Sequence, residues 1–299
     1  MSSRVAVLGL GAMGLPMATH LARDHEVIAF DVSPERLKMA ELAGVRPAAS
    51  PAQACADADV VLIGVRDAAQ LERALFGPLG AAETLAAESV VILTSTVGRD
   101  AVRDAADRLE EQGVLLIDAP VSGGPVRAGK GDLLIMVSAG PAALDRGRSV
   151  LEALSSTLTV AGPRVGDGQM LKTVNQLLCG VHTAAAAEAL ALAHALGLDL
   201  DSTLEVLGKG AAASFMLSDR GPRIAQQLTG SRPELRSRLD VISKDMGIVT
   251  RLAREAKVAT PVAGAAEHLF LLGEALGFAA DDDSVIATAL HASSPESAS

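Results

Sequence analysis

The chain has 299 residues, a formal net charge of −10 and 49% hydrophobic residues, yet only 2% aromatics, with no Trp and no Tyr. That length accommodates one large or two ordinary domains, with a core built from Ala, Leu and Val. The acidic balance gives no general electrostatic pull on nucleic acid or anionic membrane. The scarcity of aromatics argues against stacking-based binding of single strands.

The first segment reads as strand, turn and helix start. Val5-Ala6-Val7-Leu8 runs into Gly9-Leu10-Gly11-Ala12-Met13-Gly14, and Asp31 closes a second apolar run, Val27-Ile28-Ala29-Phe30, seventeen residues after Gly14. Each part has a task on a dinucleotide. Gly9 permits the tight turn, Gly11 lets the backbone approach the pyrophosphate, and Gly14 lets the helix pack close to the strand. The first helical turn offers free N–H groups to the phosphates. Asp31 is placed to hydrogen-bond the adenosine ribose hydroxyls, which favours NAD over NADP. No Arg or Lys follows it until Arg36. The competing readings are a nucleotide fold for S-adenosylmethionine and an ordinary αβ turn.

Strands are expected over residues 4–9, 26–31, 59–64, 89–94, 114–118, 132–138 and 156–160, with helices near 12–23, 34–42, 51–57, 68–75, 98–111 and 141–153. Strands alternating with helices imply a mainly parallel sheet. Asp59-Val60-Val61-Leu62-Ile63-Gly64 is continuously apolar, as a strand covered on both faces should be.

Two strand ends carry candidate chemistry. Leu93-Thr94-Ser95-Thr96 is a row of hydroxyls that can bond a ribose or carboxamide, or else cap a helix starting at Thr96 or Gly98. Beyond Asp118, Ala119 to Gly131 reads as a long glycine-rich loop. Its Ser122-Gly123-Gly124 exposes backbone N–H groups around a hydroxyl, a nest for a carboxylate; the plain alternative is a flexible connection.

Near residue 162 the texture changes to turn-rich sequence. The run from Gln169 to Leu196, with only Gly180 inside, then reads as one long buried helix. Further helices are expected at about 201–209, 214–228, 235–256 and 261–276, with no further strand. The fold class is therefore α/β: a Rossmann-type parallel-sheet domain over residues 1–163, an all-α domain over 164–291 joined to it by the long helix, and a disordered tail over 292–299.

Lys172, Asn175 and Gln176 share a face near the start of the long helix. Burying an amide without a partner costs about 2–7 kcal/mol, so polar groups on a buried face need a reason. A lysine at a cleft can exchange a proton with a substrate oxygen; the plain alternative is a snorkelling surface lysine. Lys244-Asp245, alone, reads as a solvated helix pair. Cys55 and Cys179 fall in apolar helical patterns and read as buried free thiols. Neither they nor the six His residues show metal-ligand spacing, so no metal is expected. There is no signal-peptide pattern, and no apolar stretch of the ~20 residues that span a bilayer runs without polar interruption. The chain reads as soluble and cytoplasmic.

Four motifs in order resemble the β-hydroxyacid dehydrogenases, a family that includes 3-hydroxyisobutyrate, L-threonate and 6-phosphogluconate dehydrogenases and tartronate semialdehyde reductase. They are Gly9–Ala18, Asp118–Gly124, Gly168–Gln176 and Lys244-Asp245-Met246-Gly247. The resemblance implies hydride transfer between NAD(P) and a small carboxylate-bearing β-hydroxy acid, with Lys172 as acid/base and Asn175 holding the substrate or that lysine. It implies substrate binding by Ser122, Gly123, Gly124 and Gln176. Cofactor contacts would come from Gly9, Gly11, Ala12, Met13, Gly14, Asp31, Val65, Thr96 and Lys244. It also implies a homodimer or homotetramer packed through the helical half. Gln176 stands where many members carry a second Asn. The retained Lys172 argues against the related imine reductases, which stay an alternative together with a non-catalytic dinucleotide-binding protein. Asn175 to His182 and Ser214-Phe215-Met216 look most like the threonate-dehydrogenase branch. Arg66, Arg127, Lys130 and Arg220 are candidate substrate selectors.

Overall fold

A computed structural model describes residues 3–291. The expected tail over 292–299 lies outside the described residues. In chain order the elements are β1 (Arg4–Leu8), α1 (Gly14–Leu21), β2 (Glu26–Phe30), α2 (Pro34–Leu42), β3 (Arg46–Pro47), α3 (Pro51–Cys55), β4 (Val60–Ile63) and α4 (Ala68–Phe76). Then come β5 (Val90–Leu93), α5 (Arg99–Glu110), β6 (Leu115–Asp118), β7 (Val121–Ser122), α6 (Gly124–Ala128), β8 (Leu133–Ser138), α7 (Pro141–Leu154) and β9 (Ser155–Gly162). Helices α8 (Asp167–Ala195), α9 (Leu200–Lys209), α10 (Phe215–Leu228), α11 (Leu239–Glu255), α12 (Pro261–Ala275) and α13 (Ile286–His291) follow among the described residues. It divides into two compact units between Lys172 and Thr173.

The first unit holds one sheet in the order β3-β2-β1-β4-β5-β6-β8-β7, with β9 on β8. The pairings from β3 through β6 are parallel; β8 runs antiparallel to β6 and β7 and parallel to β9. The chain winds outward from β1 in one direction and from β4 in the other, so the order reverses between them. A ligand crevice of an open sheet lies at such a point, beyond the carboxyl ends of the strands. Alternate residues feed opposite faces. Val5, Val7, Val60, Leu62, Val90 and Ile92 join one core with Met17, Leu21 and Leu154. Ala6, Leu8, Val61, Ile63, Val91 and Leu93 join the other with Leu71, Leu75 and Leu109. Both faces are covered, which is why these strands are continuously apolar. Each buried Val, Leu or Ile contributes about 1.5–3 kcal/mol.

The structure corrects several expectations. The segment read as a glycine loop contains β7, whose Val121 and Ser122 pair with Ile135 and Leu134, and the short helix α6, started by Pro125 in its first turn. The two-residue β3 and the terminal α13 also went unread, being too short to show a period. Helix α11 starts at Leu239, not near 235. Arg236 and Ser237 donate their N–H groups to Asp282 Oδ2, and Arg238 bridges Asp282, so this backbone is committed elsewhere.

The second unit is helical. Its core joins Ala187 and Leu190 of α8, Ile224 of α10, Leu239 and Met246 of α11, Phe270 of α12 and Ile286 of α13. Gly180 of α8 lies so close to Met246 that a Cβ there would overlap the Met246 sulfur, so its lack of a side chain sets the α8–α11 crossing. Helix α8 is not buried all round: Leu171, Val174 and Leu178 are 39%, 60% and 50% exposed. By length and composition alone it passes for a membrane span, the one such helix among the described residues. Its packed Ala and Leu residues are the ordinary reason a core helix passes that test. Cys55 is buried as expected, its thiol pushed up to about 12 by burial, whereas Cys179 is only half-buried.

Candidate active site

The glycine turn follows β1 and faces the end of β4. Gly9 has φ +93°, and a Cβ there would stand 2.5 Å from the Gly64 carbonyl oxygen. A Cβ on Gly14 would overlap the Gly9 carbonyl oxygen, so α1 can start this close to β1 only with glycine at that position. A Cβ on Gly11, by contrast, would meet nothing within 4 Å. Gly9 and Gly14 are thus required by the fold, while Gly11 borders open space, as a residue approached by a ligand's phosphates should. Ala12 is exposed and Met13 half-buried beside it. Asp31, at the end of β2, accepts from Leu10 N on Oδ2 at 2.6 Å and from Ser33 N on Oδ1 at 2.8 Å. The acid therefore pins the glycine turn itself. Each carboxylate oxygen keeps a further lone pair for a ribose hydroxyl.

The hydroxyl row after β5 divides by task. Thr94 Oγ1 donates to Ile63 O at 2.8 Å, and Ser95 Oγ accepts from Val65 N at 2.8 Å, so both hold the end of β4. Thr96 is half-buried, and α5 begins with Gly98 as its N-cap, without a side-chain cap. Ser122, Gly123 and Gly124 are half-buried where β7 passes into α6, with φ of +139° and +76° at the two glycines.

Lys172 is 6% exposed on the first turns of α8, and this helix start is fixed by a buried polar network. Asp118, at the end of β6, accepts from Gly166 N at 3.0 Å, Gln169 N at 2.9 Å and Ser138 Oγ at 3.0 Å on Oδ2, and from Gln169 Nε2 at 2.8 Å on Oδ1. Ser138 Oγ accepts from Gly168 N at 2.8 Å. The orphan N–H groups of the helix start are thus satisfied from the sheet. Gly168 is required, because a Cβ would stand 2.7 Å from Met136 O. Burial pushes the Asp118 carboxyl above its ordinary range, against the pull of the bonds from Gln169, Ser138 and Gly166.

In the second unit Gln176 Nε2 donates to Asp245 Oδ2 at 2.6 Å, and Lys244 Nζ stands 2.9 Å from Asp245 Oδ1. Asp245 is 4% exposed, so Lys244-Asp245 is no solvated surface pair. Cys179 Sγ donates to Asn175 Oδ1 at 3.9 Å, one turn along α8. Of the candidate selectors, Arg127 pairs with Asp132 at 2.9 Å and half-buried Arg220 with Asp283 at 2.9 Å; Arg66 lies 3.4 Å from Asp67 and Lys130 is exposed. Sequence reasoning assigned no site role to Asp118, Gln169, Ser138 or Asp245. For Asp118, Gln169 and Asp245 the available signal was their place inside the motifs; Ser138 lies outside them, at the end of β8. Among the described residues no group of three or more His, Cys, Asp or Glu side chains is arranged to hold a metal.

A sheet that reverses at a glycine turn, with an acid on the neighbouring strand end and an added helical unit, defines a nicotinamide-dinucleotide-binding oxidoreductase. Residues 4–162 match the family described as the NAD binding domain of 6-phosphogluconate dehydrogenase, and residues 166–290 match that described as NAD-binding of NADP-dependent 3-hydroxyisobutyrate dehydrogenase. An L-threonate dehydrogenase of Cupriavidus necator is 40% identical over 96% of this chain and 95% of its own. The 2-(hydroxymethyl)glutarate dehydrogenase of Eubacterium barkeri is 29% identical over 95% of this chain and 94% of its own. A crystal structure of 3-hydroxyisobutyrate dehydrogenase from Salmonella typhimurium matches with a TM-score of 0.89 at 31% identity, covering 96% of this chain and 99% of that one. The chain belongs to the β-hydroxyacid dehydrogenase family and is an NAD(P)-dependent hydroxyacid dehydrogenase.

Proposed function

We propose that this enzyme interconverts a small β-hydroxy acid and its semialdehyde or keto acid, with NAD preferred over NADP and Lys172 as the general acid/base. The observation that carries the reading is the burial of Lys172 on a helix start anchored to the sheet ends. A lysine held there serves proton transfer better than a snorkelling surface side chain. Gly9, Gly11, Ala12, Met13, Gly14, Asp31, Val65, Thr96 and Lys244 would hold the dinucleotide, which supplies the hydride acceptor or donor when bound. The open space beside Gly11 fits that group.

In oxidation, neutral Lys172 takes the substrate hydroxyl proton on Nζ; in reduction its ammonium form returns it. Ser122 with the Gly123 and Gly124 backbone holds the carboxylate, and Asn175 and Gln176 orient the hydroxyl-bearing end. The preference for NAD follows from the Asp31 carboxylate, which would repel a 2′-phosphate. The 40% identity to an L-threonate dehydrogenase supports a polyhydroxy acid of that kind as substrate. The domain division proposed is a dinucleotide domain over 1–163 and a helical domain over 164–291 that also mediates a homodimer or homotetramer, which sedimentation of the purified enzyme tests.

The deciding experiment follows reduced nicotinamide with NAD and NADP across L-threonate, 3-hydroxyisobutyrate, glycerate, L-serine and a cyclic imine. Turnover of a hydroxy acid, higher kcat/KM with NAD, and a loss of about 10²–10⁴-fold in Lys172→Ala with NADH affinity retained are expected. Wild-type turnover in Lys172→Ala would remove the lysine from its role.

A further inference from the structure

Gln169 has no exposed surface, and its side chain uses its full bonding capacity. Nε2 donates to Ser95 O at 2.9 Å and to Asp118 Oδ1 at 2.8 Å. Oε1 accepts from Val97 N at 2.9 Å and Gly98 N at 3.0 Å. Two donors and two lone pairs are thus matched to four partners. Because Ser95 O can only accept while Val97 N and Gly98 N can only donate, the amide orientation is fixed. The three backbone partners flank Thr96 on both sides. One helical turn after Gln169, on the same helix, stands Lys172. A single side chain therefore ties the segment carrying Thr96 to the turn carrying Lys172, across 71 to 74 residues of sequence.

We propose that Gln169 is a positioning residue of the hydroxyacid dehydrogenase reaction, holding the Thr96 segment and the Lys172 turn as one rigid piece. The proposal rests on the reading of Lys172 as acid/base and of Thr96 as a cofactor contact. Its physical basis is geometric. Proton transfer needs its heavy atoms within hydrogen-bond reach, and a misplacement of about 1 Å can cost about 10²-fold in rate. Asp118 supports Gln169: it anchors the helix start and takes the second amide proton. A buried amide that served stability alone would need its four bonds, but they would not have to join these two segments.

The test uses Gln169→Glu, which keeps acceptors for Val97 N and Gly98 N but sets a carboxylate oxygen against both the Asp118 carboxylate and Ser95 O, and the double variant Gln169→Glu/Asp118→Asn, which restores a donor facing an acceptor at residue 118 while the bond to Ser95 O stays lost. The full-length enzymes are compared by circular dichroism melting, kcat, substrate KM and the pH–rate profile of oxidation. In Gln169→Glu, kcat is expected to fall about 10- to 100-fold with a smaller change in KM and a displaced acid limb of the profile. The double variant is expected to recover part of that loss. A folded single variant with wild-type kcat and pH profile overturns the proposal, and so does a double variant as slow as the single. Where the single variant does not fold, the kcat and pH profile of the double decide alone. Turnover surviving in Lys172→Ala would sink the acid/base reading first. An inactive Lys172→Ala beside a fully active Gln169→Glu would sink only the role given to Gln169.

Discussion

The two units differ in what their buried polar groups hold. In the first, polar side chains bind backbone: Asp31 holds Leu10 N, Ser95 holds Val65 N, Gln169 holds Val97 N and Gly98 N, and Asp118 holds Gly166 N and Gln169 N. In the second, the buried charged and amide groups also meet other side chains. Gln176 meets Asp245, Arg220 meets Asp283, and Arg223 meets Asp282. A sheet end exposes N–H and C=O groups where its strands stop, so side chains are recruited to satisfy them. A helix satisfies its own interior backbone, so a charge buried between helices must find a side-chain partner. The first unit is thereby a rigid frame for a dinucleotide, and the second a set of paired charges within an Ala- and Leu-rich core.

The largest expected effect tests the second unit. Arg223 is 4% exposed and faces Asp282 and Asp283, so Arg223→Ala takes a buried cation from both, leaving Asp283 to Arg220 and Asp282 to its bonds from Arg236 N, Ser237 N and Ser284. A loss of about 3–5 kcal/mol is expected in urea unfolding. A loss near that of a surface substitution, within about 0.5 kcal/mol, would break the contrast.

Next come the two glycines that the fold treats differently. Gly14→Ala overlaps the Gly9 carbonyl and should lower the melting temperature as well as NADH affinity. Gly11→Ala enters open space and should leave melting almost unchanged, within about 1 kcal/mol, while still weakening NADH binding. Unaltered NADH affinity in Gly11→Ala would place the phosphates elsewhere.

A pH series sharpens the charge cluster. Burial would push Asp282 up, but bonds from Ser284, Arg236 N and Arg223, with the Arg223 charge, hold it below its ordinary 3.8. Its stabilisation is therefore present above pH 3.8 and lost as pH falls through the lower folded value. Asp283 is raised, by burial first and by the Asp282 charge, against the Arg220 and Arg223 charges. Its contribution is present below 3.8 and lost as pH rises through the folded value. Subtracting the unfolding free energies of Asp282→Asn and Asp283→Asn from wild type across acid pH should give slopes of opposite sign. Equal signs would refute this assignment.

The smallest effect is chemical. Cys55 is fully buried with its thiol raised to about 12, while Cys179 is half-buried. Thiol titration at neutral pH should find at most one reactive cysteine in the native enzyme and two after unfolding. Two fast thiols in the native enzyme would contradict the packing around Cys55.

How much was readable follows the same divide. The glycine turn, Asp31 and the alternation of strand and helix were legible because each is a local pattern with a fixed spacing. The placement of Thr94 and Ser95 as braces for the end of β4 was not, since their partners come from a neighbouring strand. The segment from Ala119 to Gly131 misled because β7 is only two residues long and takes its identity from pairing with β8. Helix α8 was legible in length but not in exposure: composition shows apolar residues, and only packing shows which of them find neighbours.

The sequence by itself determined the order of elements, the dinucleotide turn and the four motifs, because backbone preference and hydrophobic period act over a few residues. Only the tertiary structure decided that Asp118 and Gln169 anchor the start of α8, that Asp245 joins Gln176 to Lys244, and that Arg220 and buried Arg223 pair with acids near residue 282. Those contacts join positions far apart in the chain. Desolvation makes each group costly alone and tolerable only once its partner has been brought to it.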